Sequence, residues 1–257
     1  MILVPSRSSG YYGKVPARGD FVSRRLARSI VEPWDDWLQL AIHTSREQLG
    51  GAWLDLYMVA PIWRFVLSGG ICGAMPLAGI MMPSVDLVGR NFPLLIAAEL
   101  PLSAGLGPVA AGAEPWFDNA EAMALDSLRD GFALEDLDRP MVDLAGDEAL
   151  ALAADPIQLT PPGLSVSLET TAQAGLSYGR LFGAGAARHC LWWTAGSERV
   201  PPVLAVTNGL PDANAFAPFL DGDWAGRGWA TEAPATAVPD AAAIEPTASA
   251  PSWDRDE

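Results

Sequence analysis

Two apolar runs near the middle of the chain, residues 78–82 and 92–98, bracket the polar stretch Ser84-Val85-Asp86-Leu87-Val88-Gly89-Arg90. Each run has strand length and no polar alternation, which predicts strands covered on both faces. Pro83 and Pro93 lack a backbone donor and so mark strand ends or bulges. The stretch between them reads as a strand–turn–strand corner fixed by an Asp86–Arg90 pair, or as a polar surface that a partner recognises. Spacing alone leaves both readings standing.

The same patterning organises the rest of the chain. Residues 10–21 read as a short strand and turn leading into a helix over 21–49, with Asp20 as its N-cap and Pro33 dividing it. Trp34, Trp37, Leu38 and Ala41 recur at helical spacing, which marks a core face before a binding cage. Gly50-Gly51 ends that element. A short helix over 52–58, a strand over 62–67 containing Arg64, and a glycine-rich turn over 68–73 come next. Residues 101–113, small and punctuated by Pro and Gly, read as a loop. A helix over 115–131 carries Trp116, Ala120, Met123, Ala124, Ser127 and Leu128 on one face, with Glu114 and Asp118 at its positive end. Residues 134–154 continue acidic and helical, interrupted by Pro140.

Further on, residues 164–168 alternate apolar residues with Ser and predict a half-exposed strand, whereas 175–187 carry no assignable pattern. In the strand predicted over 189–194, the neighbours Trp192 and Trp193 must face opposite layers. A hairpin-type turn at 195–199 leads to a strand over 203–206, closed by Asn208-Gly209. A short helix over 213–220 follows, with Phe216, Phe219 and Leu220 on one face.

Composition narrows the class. Half of the 257 residues are hydrophobic and 18% are charged, so residues 1–230 are expected to form one domain with a proper core. Residues 231–257, rich in Ala, Pro, Thr and acid, are expected to be a disordered tail. The net charge of −15 is uneven: +1 over residues 1–112, −10 over 113–155, −1 over 156–230 and −5 over 231–257. Nucleic acid and anionic membranes therefore have no general electrostatic support as partners, and a basic partner surface suits the average charge better. No run of eighteen apolar residues occurs, and the opening Met1-Ile2-Leu3-Val4-Pro5 is too short for a signal-peptide core. A cytoplasmic protein without membrane insertion is expected.

Candidate chemistry is sparse. Lys14, the only lysine, follows Gly13 but precedes Val15 and Pro16, where a phosphate-binding loop needs Ser or Thr. Cys72 and Cys190 lie in apolar surroundings and read as buried free thiols. With only His43 and His189 to help them, no metal site is expected, and no cofactor. No serine sits in a Gly-x-Ser-x-Gly elbow, and adjacent strand residues such as His189 and Cys190 point apart. No catalytic residues are expected, so the chain is read as non-enzymatic. The polar groups placed to bind a partner or to fix loops are Lys14, Arg18, Asp20, Ser84, Asp86 and Arg90.

Five stretches taken in order resemble one family. They are Tyr12-Gly13-Lys14-Val15-Pro16-Ala17-Arg18-Gly19-Asp20-Phe21, Glu32-Pro33-Trp34-Asp35-Asp36-Trp37-Leu38 and Ala60-Pro61-Ile62-Trp63-Arg64-Phe65, then residues 82–94, and last Leu191-Trp192-Trp193-Thr194 with Gly209-Leu210-Pro211. The chain resembles the type VI secretion-associated TagF family, also called ImpM, over about residues 10–225. The resemblance implies a three-layer αβα sandwich of the α+β class, built around one mixed, largely antiparallel sheet. It also implies a cytoplasmic post-translational repressor that binds a forkhead-associated-domain scaffold protein of the secretion system. Some members are fused to a PP2C-type phosphatase; that enzyme is not expected here. A structural or assembly subunit of the apparatus, or a hydrolase, is the alternative.

Overall fold

The computed structural model describes residues 2–4, 9–138, 144–146, 159–182 and 188–232. Its centre is a nine-stranded sheet built from β2 (Ser9–Gly13), β3 (Val22–Arg24), β4 (Trp63–Leu67), β5 (Leu77–Met82), β6 (Leu94–Glu99), β8 (Leu164–Ser167), β9 (Cys190–Thr194), β10 (Val203–Thr207) and β11 (Ala230–Glu232). The strand order is β11-β8-β10-β9-β4-β5-β6-β2-β3, antiparallel at every pairing except β11 with β8. A separate antiparallel pair joins β1 (Ile2–Val4) to β7 (Leu144–Gly146). The mixed, largely antiparallel sheet that the family resemblance implies is what forms.

Helices cover both faces. On one lie α1 (Arg28–Leu49), α2 (Trp53–Met58) and α6 (Pro218–Asp221); on the other lie α3 (Leu106–Gly112), α4 (Glu114–Asp126) and α5 (Gln173–Phe182). Side-chain parity sorts the two cores. Trp63, Phe65 and Leu67 of β4 join the α1 core, while Val66 joins the α4 core. Trp192 meets Trp34 and Phe65 on the α1 side, and Trp193 packs edge-on against Phe117 on the α4 side. Unbroken apolar runs are what a sheet covered on both faces requires.

Five local readings give way to tertiary contacts. The helix expected over 21–49 begins at Arg28, behind Ala27 and not Asp20, because residues 22–24 form an edge strand on β2. Arg25 turns the chain at φ 60°, and its guanidinium bonds the Ser9 carbonyl at 2.8 Å. Pro33 does not divide α1. The carbonyl it leaves without an N–H partner belongs to Ser29, in an exposed first turn where water can satisfy it. The loop expected over 101–113 contains α3. Its small residues serve close packing: a Cβ on Gly175 of α5 would lie 2.5 Å from the Gly107 carbonyl and 2.6 Å from Ala111 Cβ. Finally, residues 134–138 form a 3₁₀ turn and 144–146 a strand, where continued helix was expected; 139–143 and 147–154 lie outside the described residues. Thr231 and Glu232, assigned to the tail, complete β11 on the sheet edge, and residues 233–257 lie outside the described set.

Candidate functional site

The β5–β6 corner is built around one buried carboxylate. Asp86 Oδ2 accepts from Lys14 Nζ at 2.9 Å and from Arg90 Nε at 2.6 Å. Its Oδ1 accepts the backbone N–H groups of Arg90 at 2.8 Å and Val88 at 3.1 Å. Burial alone would raise this carboxyl, but the Arg90 amide, the Lys14 ammonium and the Arg90 guanidinium together hold it well below the usual carboxylate range. Gly89, at φ +82°, lets the turn close tightly enough to aim those amides inward.

The same groups tie this turn to the loop between β2 and β3. Leu87 N–H donates to the Arg18 carbonyl at 2.8 Å, and Arg90 Nη2 donates to the Gly19 carbonyl at 2.6 Å. At the base, the Tyr57 hydroxyl of α2 donates to the Ser84 carbonyl and accepts its N–H, at 2.9 and 3.0 Å. Of the six polar candidates, Lys14, Asp86 and Arg90 therefore converge. Ser84 joins through its backbone, its Oγ buried without a partner. Arg18 and Asp20 stay exposed: among the described residues the Arg18 guanidinium reaches only the Ala17 carbonyl at 3.4 Å, and Asp20 accepts the Phe21 N–H at 2.8 Å. The expected corner forms, but Arg18 and Asp20 are held in it by backbone and not by ion pairs.

A second charge cluster was only half visible in the sequence. Arg64, almost wholly buried in β4, reaches Glu114, Asp118 and Glu121 of α4 at 2.9, 2.7 and 2.6 Å. Burial would lower the guanidinium's pKa, but Glu121, Glu114 and Asp118 outweigh it and hold the group above its ordinary value. The signal was present: a lone arginine in an apolar strand, and three acids spaced i, i+4, i+7 on one helix face.

The histidines and thiols singled out in the sequence occupy different surroundings. Burial keeps His189 neutral below its ordinary pKa, and Nδ1 lies 3.0 Å from the Tyr178 hydroxyl, itself pushed up to about 12 by burial. Cys190 joins the α1 core, whereas His189 packs against Tyr178 and Phe182 of α5. His43 stands exposed on α1, 3.5 Å from Glu47. Cys72 and Cys190 are free and buried; burial lifts Cys72 to about 12 and Cys190 well above the usual thiol range. Among the described residues no cluster of three or more His, Cys, Asp or Glu could hold a metal, and no helix is long and apolar enough to cross a membrane.

An αβα sandwich whose β5–β6 loop is locked on its own carboxylate defines an α+β scaffold with a fixed loop end. Residues 10–144 match the family model described as the TagF N-terminal domain, type VI secretion system-associated. The crystal structure of PA0076 from Pseudomonas aeruginosa PAO1 is 35% identical, with a TM-score of 0.64 over 84% of this chain and 95% of that one. A search of curated proteins gave no match. The chain belongs to the TagF family of type VI secretion-associated proteins.

Proposed function

We propose that this chain is a cytoplasmic repressor of a type VI secretion system that acts without turnover, by binding a forkhead-associated-domain scaffold protein. Membership of the TagF family carries this reading. A loop end held rigid by Asp86 supports it, since a preformed surface loses little entropy on docking. Non-enzymatic action fits the occupied state of His189 and the burial of both thiols.

Overproducing the chain in its own host should stop effector release while effector and sheath protein levels stay constant. Asp86→Asn, measured beside a folding control, separates loop architecture from direct contact: repression lost only together with the folded state would make Asp86 structural. Wild-type protein that neither binds a secretion component nor alters release would refute the repressor reading. Isolation only with the assembled apparatus would mark a structural subunit instead.

A further inference from the structure

Leu87 and Val88 stand at the tip of the Asp86 turn with 68% and 70% of their surfaces exposed. Two adjacent aliphatic side chains at a loop tip are costly to hydrate, and this tip cannot fold away. Leu87 N–H is bound to the Arg18 carbonyl and Val88 N–H to the Asp86 carboxylate. Three exposed arginines stand on the same loop end, beside the exposed carboxylate of Asp20, so cations prevail there. Arg18 and Arg90 flank the tip, and Arg46 of α1 reaches Asn91 Oδ1 at 3.3 Å. Among the described residues, neither Arg18 nor Arg46 has a carboxylate within ion-pair distance, and Arg90 pairs only with the buried Asp86. Phe21, partly exposed and packed edge-on against Phe92, extends the apolar ground beneath them.

We infer that this loop end is a protein-docking surface, whose occupant is an acidic segment of the scaffold protein that carries apolar side chains. The inference rests on the scaffold-binding reading above and adds to it the surface and the chemistry of the partner. Apolar residues at the centre with arginines around them are the arrangement of a specific interface, in which burial supplies affinity and charge supplies orientation. The choice of an acidic occupant runs against the chain's average charge of −15. Local charge decides at contact, because ionic screening limits exposed charges to about 8 Å at physiological salt.

The test uses the full chain and the purified forkhead-associated-domain scaffold of the same secretion system as the probe. Leu87→Ser/Val88→Ser should weaken binding at least about tenfold with an unchanged thermal midpoint, since both side chains face solvent. Leu125→Ser, an exposed apolar change on α4, should leave binding unchanged. Arg18→Glu should weaken binding more than Arg18→Gln, and the difference should shrink in high salt. Binding by the wild type with equal affinity in the tip double variant would overturn the surface while leaving the repressor reading intact. Equal loss in the Leu125 variant would overturn it too. Arg18→Glu binding as tightly as wild type would refute an acidic occupant. A dimer of this chain that the tip variant dissolves would make the occupant a second copy, against the inference. Absence of scaffold binding by the wild type would defeat the reading and this inference with it.

Discussion

Arg64→Met removes the only cation, among the described residues, in contact with Glu114, Asp118 and Glu121 and leaves a side chain of similar length in the α4 core. Breaking a buried ion pair from one side costs about 3–5 kcal/mol, mostly because charge is stranded without a partner. Here the stranded carboxylates are 35%, 63% and 25% exposed, so water recovers part of that loss and the expected cost sits at the low end, about 3 kcal/mol. For a domain of this size that is a fall of about 6–12 °C in the thermal midpoint. The single carboxylates should rank by burial. Asp118→Asn, mostly solvated, should cost under about 1 kcal/mol. Glu121→Gln, the least exposed, weakens a charge-assisted bond worth about 1.5–3 kcal/mol. Urea unfolding followed by tryptophan fluorescence reads all three, since Trp193 packs on Phe117 of α4. The midpoint should move and the m-value should not. Arg64→Met within about 0.5 kcal/mol of wild type, or Asp118→Asn costing more than Glu121→Gln, would refute the argument.

Three further outcomes follow from the packing. Gly79→Ala should cost about 1–3 kcal/mol in urea unfolding, because a Cβ there would collide with the Phe65 ring and lie 2.6 Å from the Ile96 carbonyl. Gly89→Ala, which meets no atom within 4 Å, should cost only the about 1–2 kcal/mol of its left-handed backbone; a reversed ranking would contradict both accounts. Cys72 and Cys190 should resist a thiol reagent until urea unfolds the chain, and rapid labelling of either in the native state would deny their burial. His189 is held neutral below the unfolded value of about 6.5, so the unfolded chain takes up a proton that the folded chain does not. Stability should therefore fall as pH drops from 7.5 to 5.5, and His189→Gln should flatten that slope; an unchanged slope would place the titrating group elsewhere.

The parts of the fold that were legible are those where local pattern and tertiary role coincide. The unbroken runs of β5 and β6 announced cover on both faces, and the adjacency of Trp192 and Trp193 put them on opposite layers, because strand parity is a local property. What misled was small-residue composition. Gly, Ala and Pro over 101–113 have the signature of a loop when read alone, yet Gly107 and Ala111 are small because Gly175 of α5 passes at backbone distance. The need for small residues came from a segment more than sixty positions away, and nothing local announces it. Val22 likewise left the predicted helix because β2 offered it a ladder.

The site divides along the same line. Asp86 and Arg90 are four residues apart, so their pairing was readable as a turn; Lys14 and the Gly19 carbonyl reach them from over sixty residues upstream, and only the sheet order β5-β6-β2-β3 brings them there. That topology also explains why the six polar candidates split. The loop needs one carboxylate inside to gather its amides, and Asp86 fills that place completely, with two cations and two N–H groups on its two oxygens. Arg18 stays in water, with no carboxylate within ion-pair distance among the described residues, while its carbonyl accepts the Leu87 N–H. The backbone bond that ties the two loops thus sets the exposed Arg18 beside Leu87 and Val88, so the loop fastening and the surface chemistry meet at one place.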